Sequence, residues 1–312
     1  MNLYQNIAKN KRRTVFYTII FFIFVVFIGW FFDQYYQAGG AGIFLALLFS
    51  VPTALTSYYA SDKVALAVNG AKAIEPEQGS EEKQLYRLVE NIAITAGIPV
   101  PKIYIIPDEA MNAFATGRDP KHASIAFTSG ILKKLDKLEL EGVIAHELSH
   151  VKNYDIRLST VIVILVGLIA LLSDFFIRWS WFGGRRRSND NEGGAGGILM
   201  IVGIILIVLS PLIAQLISLA VSRRREFLAD SSGALLTRYP EGLAKALQKI
   251  SQDTDPLDHA NNATMHLYIA NPKPRKGAGI AKFFSTHPPI EERIQALMGM
   301  DIEKFEKEYL EK

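Results

Sequence analysis

Four long and nearly uncharged runs limit what this chain can fold into. They are residues 14–32, 43–60, 158–177 and 198–221, and Asp174 is the single charged residue within them. About twenty apolar residues cross a bilayer as an α-helix. We therefore predict a membrane α-helical anchor of two hairpins, in which the third and fourth runs either cross fully or re-enter from one side.

The residues before the first run set the expected orientation. Lys9, Lys11, Arg12 and Arg13 precede it, and basic residues favour the cytoplasmic side of a membrane. A cleaved signal peptide is the alternative, but the run is long for such a peptide and no small-residue cleavage site follows it. We expect a retained anchor in the plasma (inner) membrane, with the soluble parts in the cytoplasm.

Polar stretches lie between and after the two hairpins. We divide the chain into a membrane hairpin at 1–61, a first soluble part at 62–157, a second hairpin at 158–222 and a second soluble part at 223–312. The absence of cysteine excludes disulfides and thiolate metal ligands. A formal charge of +3 gives no basis for binding nucleic acid, and no oligomeric state is predicted.

The sequence pattern of the first soluble part predicts both helices and strands. Ser80 is a suitable cap for a helix through Ala96. Asp136 and Glu139 have the spacing of a capping box, so another helix begins there. Segments of alternating or β-branched residues predict strands at 102–106, 112–117 and 123–128.

The helix that begins near Asp136 contains the motif H-E-x-x-H. Because positions four apart lie on one helix face, His146 and His150 can direct two imidazoles at one point. That spacing suits zinc, and Glu147 then lies where a carboxylate can accept a proton from the attacking water. Two surface histidines on an ordinary helix are the alternative.

A catalytic zinc site needs a third protein ligand. Glu226 is the candidate, with an ion pair to the arginines at 223–225 as the alternative. Asp230 lies one turn later, where it could accept the second ring N–H of a ligand histidine. Two full crossings or two re-entrant segments between His150 and Glu226 would bring the ligands to one side. Full crossing would place the arginines at 185–187 outside the cytoplasm, against the usual charge bias. Both full crossing and re-entry of the third and fourth runs therefore remain possible.

The ordered set of motifs resembles the HtpX-type membrane zinc metallopeptidases, which are relatives of the CaaX prenyl proteases. The set consists of two anchor runs, N-A-F-A-T-G at 112–117, H-E-L-S-H at 146–150, two further apolar runs, E-F-L-A-D at 226–230 and H-P-P-x-x-x-R at 287–293. The resemblance covers nearly the whole chain. It implies a gluzincin-like α+β zinc metallopeptidase domain with one Zn²⁺ per chain.

The resemblance also implies roles for individual residues. His146, His150 and Glu226 match the zinc ligands, and Glu147 matches the general base. An edge strand that pairs with extended substrate is matched by Asn112, Ala113, Phe114, Ala115, Thr116 and Gly117, although an ordinary sheet edge fits the same pattern.

Two late residues match positions that reach the active site in the family. These are His287 and Arg293; His287 would either donate to the oxyanion or only pack at a helix start. Three further histidines match no motif and are expected on the surface, namely His122, His259 and His266.

These features together predict a membrane-bound zinc endopeptidase. The resemblance implies that it cleaves misfolded or damaged (membrane) proteins at the cytoplasmic face, with unfolded or membrane polypeptides and the lipid bilayer as partners. The alternatives are a narrow-specificity prenyl-protease-like peptidase and a non-catalytic metal-binding scaffold. A zinc transporter is disfavoured because the histidines lie outside every apolar run.

Overall fold

The computed structural model describes residues 3–36, 39–76, 79–162, 223–257, 267–269, 288–303 and 305–306. The fourth apolar run, most of the third, and His287 lie outside these ranges.

Two long helices open the chain. Helix α1 spans Leu3–Tyr36 and helix α2 spans Ala41–Val68. The backbone N–H of Gly40 donates to both carboxylate oxygens of Asp33, at 2.8 and 2.9 Å, and closes the turn between them. Gly40 has a φ of 97°, a conformation that glycine adopts without steric cost. The first predicted hairpin is therefore helical on both sides of a tight turn.

Among the described residues, one helical segment is long and apolar enough to cross a membrane. This segment is Ile43–Ala60, and none of it is buried. Helix α2 was expected to end near Asp62, but it continues to Val68. The reason is that Ala65 and Leu66 on this extension pack in a buried cluster with sheet residues.

A mixed four-stranded sheet forms the next layer. Its strands are β1 (Lys72–Ala73), β2 (Lys102–Ile106), β3 (Ala113–Gly117) and β4 (Ala123–Thr128), in the order β1-β2-β4-β3. Strand β4 runs parallel to β2 and antiparallel to β3, and β1 pairs antiparallel with β2. The three predicted strands are confirmed, the second within one residue. Strand β1 was not predicted because two exposed residues give no alternating pattern.

Six shorter helices complete the described structure. They are α3 (Ser80–Ala96), α4 (Ser129–Lys134), α5 (Lys137–Lys152), α6 (Arg223–Thr237), α7 (Pro240–Gln252) and α8 (Ile290–Met298). The bounds of α3 match the prediction, but Gly79 occupies the cap position that was predicted for Ser80, and Ser80 is the first helical residue. The capping box of Asp136 and Glu139 is confirmed in both directions.

Helix α5 lies at the centre of the described residues that follow α2. Its buried residues Val143, Ile144 and Leu148 share one hydrophobic core with residues of α3, α6, α7 and α8. Glycine allows a close approach of α6 to α5, because a Cβ at Gly233 of α6 would lie 2.9 Å from the backbone N of His146. The second soluble part therefore packs directly on the helix that carries the H-E-x-x-H motif.

Candidate metal centre

The two histidines of α5 direct their rings at one point. The Nε2 atoms of His146 and His150 lie 3.2 Å apart, and the ring planes are perpendicular with centroids 4.7 Å apart. His146 is fully buried and His150 is partly exposed. The alternative of two separate surface histidines is therefore wrong.

Helix α6 brings Glu226 to the same point. Its Oε2 lies 3.8 Å from His146 Nε2, and its Oε1 lies 3.7 Å from His150 Nε2. Zinc bonds of about 2.0–2.2 Å in a tetrahedron put neighbouring ligand atoms roughly 3.3–3.6 Å apart. The observed separations of 3.2 to 3.8 Å are close to that range. The two imidazoles and one carboxylate therefore fit zinc and form the one potential metal-binding group found in the described part of the chain.

Each histidine also meets a carboxylate at its other ring nitrogen. His146 Nδ1 lies 2.9 Å from Asp230 Oδ1, and His150 Nδ1 lies 3.1 Å from Asp155 Oδ2. A proton held on Nδ1 by such an acceptor leaves the Nε2 lone pair for a metal. Asp230 lies where the sequence predicted. Asp155 was missed, because it follows the end of α5 and so has no place in the helical spacing.

Arg293 of α8 contacts both Asp230 and His146 in this arrangement. The guanidinium is fully buried and donates to both oxygens of Asp230, from Nε at 2.8 Å and from Nη2 at 2.6 Å. It also donates from Nη1 to the carbonyl of Ile269 at 3.0 Å, and Nη2 lies 3.4 Å from His146 Nε2. Burial favours a higher pKa for Asp230, but the charge of Arg293 outweighs it and holds that pKa below its usual value. Arg293 thus keeps Asp230 ionised and aimed at His146.

The pocket shifts the pKa of three central groups. Burial raises the pKa of Glu147 to about 7, and the nearby charge of Glu226 adds to this rise. Burial lowers the pKa of His146 to about 4. Burial also favours a lower pKa for His150, but the hydrogen bond to Asp155 and the charge of Glu226 outweigh it and raise that pKa to about 9. Glu147 is therefore suited to take up and release a proton near neutral pH.

Strand β3 passes beside Glu147 at the edge of the sheet. The carbonyl of Ala113 accepts from the Ile269 N–H at 3.0 Å, and the carbonyl of Gly117 accepts from the Thr160 hydroxyl at 3.1 Å. Alternate residues of an edge strand direct their backbone groups outward. Ala115 lies between these two positions, and its backbone N–H interacts with the Glu147 carboxylate. The segment 112–117 thus borders the candidate metal centre.

Among the other histidines, the one that the structure describes does not join the group. His122 is exposed and pairs with Asp119 at 2.8 Å on a short 3₁₀ turn, as expected for a surface residue. His259, His266 and His287 lie outside the described residues.

Comparison with known proteins agrees with the site. The family model described as Peptidase family M48 matches residues 79–301. The protease HtpX homolog of Caldanaerobacter subterraneus subsp. tengcongensis is 43% identical, over 96% of this chain and 98% of its own length. The one from Streptococcus gordonii is 42% identical, over 96% of this chain and all of its own length. Ste24p of S. mikatae gives a TM-score of 0.44 at 19% identity, covering 86% of this chain and 66% of that protein.

The family match spans more than half of the chain, and the relatives align almost end to end. Members of this family use zinc, which agrees with the cluster of two imidazoles and a carboxylate. The chain belongs to peptidase family M48 and is an HtpX-type zinc metalloprotease.

Proposed function

We propose that this protease is anchored in the plasma membrane and cleaves misfolded or damaged proteins at the cytoplasmic face. One observation carries the catalytic part of the proposal. His146, His150 and Glu226 surround a single point, and the buried carboxyl group of Glu147 lies on the same helix beside them. We assign the first three as the ligands of one zinc ion and Glu147 as the general base.

The reaction is peptide hydrolysis. A zinc ion held by His146, His150 and Glu226 would supply Lewis acidity towards water and the scissile carbonyl. Glu147 accepts the proton of the attacking water and returns it to the leaving amine. Asp230 and Asp155 hold the two imidazoles in the tautomer that leaves Nε2 free. Arg293 holds Asp230 in place, and His287 remains our proposed donor to the oxyanion, with simple packing as the alternative.

An extended polypeptide is the substrate that the sheet edge favours. A peptide in β conformation can pair with outward backbone groups of an edge strand. Ala115 lies at this edge next to Glu147, and the outward carbonyls of Ala113 and Gly117 beside it are bonded within the protein. We assign residues 112–117 to substrate binding, with a bound peptide exchanging for these contacts. A folded substrate cannot present its backbone in this way, because its own hydrogen bonds already use these groups. Unfolded proteins therefore fit better than compact ones.

The two long helices support a membrane anchor. Large apolar side chains on α1 and α2 are exposed along much of their length, including Phe16, Ile23, Phe44 and Phe49. We propose that the runs at 14–32, 43–60, 158–177 and 198–221 embed in the bilayer, and that the soluble parts at 62–157 and 223–312 form one catalytic domain.

The N-terminal end of α1 supports a cytoplasmic active site. The basic residues Lys9, Lys11, Arg12 and Arg13 lie at its N-terminal end. The same end contacts the metal centre, because Asn10 donates a hydrogen bond to Asp155. By the positive-inside trend, both belong on the cytoplasmic side.

The catalytic proposal is tested with Glu147→Gln in detergent. The variant should bind one zinc ion per chain and should fail to cleave an unfolded reporter protein. Glu141→Gln on the same helix, which removes a weak surface contact to Lys137 at 3.8 Å, is the matched control and should cleave normally. Retained cleavage by zinc-loaded Glu147→Gln would remove Glu147 from the mechanism. Cleavage restricted to prenylated peptides would instead favour the narrow-specificity alternative.

The orientation is tested by labelling, because the natural chain has no cysteine. Lys137 is exposed on the soluble domain, and Lys137→Cys supplies one thiol there. We expect a membrane-impermeant maleimide to label this thiol in inverted vesicles and not in intact cells. Labelling in intact cells would place the domain on the other side.

A further inference from the structure

The turn that follows α5 carries the acceptor for one imidazole. It consists of residues 153–155, and Asp155 at its end contacts His150 Nδ1 at 3.1 Å. Tyr154 in the middle has a φ of 60°, in the left-handed region that non-glycine residues rarely adopt. Such a backbone persists when surrounding contacts hold it.

Helix α1 supplies these contacts. The side-chain amide of Asn10 donates to the carbonyl of Asn153 at 3.0 Å and to Asp155 Oδ1 at 2.7 Å. The ammonium of Lys11 lies 4.3 Å from the ring centroid of Tyr154. Two consecutive residues of α1 thus contact all three residues of the turn. Asn10 is buried, although it stands in the basic N-terminal region of the chain.

The two oxygens of Asp155 have different partners. Oδ2 faces His150, while Oδ1 accepts from Asn10 and lies 3.7 Å from Arg225 Nη1. Because both oxygens belong to one planar group, a bond that fixes Oδ1 also fixes the direction of Oδ2. Asn10 is a neutral donor, so it orients the carboxylate without cancelling the negative charge that His150 meets. Without Asn10, the carboxylate is free to turn towards Arg225 and away from the imidazole.

We propose that Asn10 is a positioning residue for the zinc ligand His150 and acts through Asp155. This inference rests on the zinc site proposed above. It makes the N-terminal helix a part of the metal centre, because the hydrogen bonds between Asn10 and Asp155 and between Asp155 and His150 then link the docking of α1 to the affinity for zinc.

A double-mutant cycle on zinc affinity tests this proposal. Full-length proteins in detergent, all carrying Glu147→Gln to prevent self-cleavage, are titrated with zinc against a chromophoric chelator. Loss of a direct hydrogen-bond partner of a ligand histidine lowers metal affinity about 10–100-fold. We expect a decrease of this size for Asp155→Ala. Asn10→Ala should cost about three- to tenfold, since it acts one step further out. In the Asp155→Ala background, Asn10→Ala should have no further effect, because residues that act through one chain are not additive.

The control lies on the same helix. Thr18 is partly buried and its hydroxyl donates to the carbonyl of Thr14 within α1, so Thr18→Ala should leave zinc affinity unchanged. Wild-type affinity in Asn10→Ala would overturn the proposal. So would an equal loss in both backgrounds, because a general disturbance of the fold does not depend on Asp155. If Asn10→Ala does not purify as a monodisperse protein, Asn10→Ser takes its place in the cycle, with the same pattern expected at smaller size.

The wild-type protein separates this inference from the proposed function. A wild type that binds no zinc, or binds it without cleaving the reporter, contradicts the function itself. A wild type that does both, alongside an unaffected Asn10→Ala, contradicts only the role of Asn10.

Discussion

Replacing Arg293 by leucine should strongly destabilise the soluble domain. Arg293 is fully buried and is bonded twice to Asp230, which is also buried. Removing one partner of a buried ion pair costs about 3–5 kcal/mol, because the other charge stays without compensation. His146 can take up a proton beside the unpaired Asp230, so the lower end, about 3 kcal/mol, is expected. At about 2–4 °C per kcal/mol for a domain of 150–250 residues, the apparent melting temperature should fall by roughly 6–12 °C.

The measurement is thermal unfolding in detergent with a chelator present, so that metal binding does not contribute. Arg238→Leu is a matched control, because Arg238 also makes two bonds to one carboxylate, Glu306, but on the exposed surface. Surface pairs of this kind contribute little, so its melting temperature should barely change. Adding Asp230→Asn to Arg293→Leu should recover part of the loss, since the uncompensated charge disappears. Equal melting temperatures for Arg293→Leu and the Arg238→Leu control would refute this prediction.

Three further predictions concern other parts of the domain. Glu226→Ala should lower the zinc content of the purified protein well below one ion per chain; wild-type stoichiometry by elemental analysis would assign the third ligand elsewhere. Gly233→Ala should destabilise the domain by about 1–3 kcal/mol, because the new Cβ would lie 2.9 Å from the backbone N of His146 and force α5 and α6 apart; Ser231→Ala on the same helix is the control, and equal melting temperatures would contradict the close contact. Asp253→Asn should cost about 1.5–3 kcal/mol at neutral pH, because Asp253 accepts from the Met111 N–H and from Lys134. Burial favours a higher pKa for Asp253, but these bonds outweigh it and lower the pKa, so the stabilisation is present above the ordinary carboxyl pKa of about 4 and is lost as pH falls through the lowered value. The stabilities of wild type and Asp253→Asn, measured by denaturant titration, should therefore converge in acid, and a constant difference would contradict the assignment.

Local signals predicted the elements that carry the site. The helix at 80–96, the strands at 102–106 and 123–128, and the capping box at Asp136 follow from spacing and side-chain chemistry within a few residues. The convergence of His146 with His150 is also local, because it follows from a single helical turn. Such features depend on neighbours in the sequence, and these are visible without coordinates.

Contacts between distant residues could not be predicted in this way. Asn10 meets Asp155 across 145 positions, and neither residue belongs to a recognisable motif. The extension of α2 beyond Asp62 depends on docking against the sheet, which is a tertiary contact. The short strand β1 has too few residues for a pattern, and pairing with β2 alone defines it. Glu226 was predicted from chemistry, chain topology and the E-F-L-A-D motif, whereas its packing against α5 is a contact that only the structure shows.

The packing of α6 on α5 has a consequence for the protein during its synthesis. His146, Glu147 and His150 are synthesised first. Both later apolar runs are then translated before Glu226. A half-made chain consequently has an incomplete set of zinc ligands. The complete set of ligands therefore exists only after residue 226 has been synthesised, so the order of synthesis itself delays assembly of the metal centre.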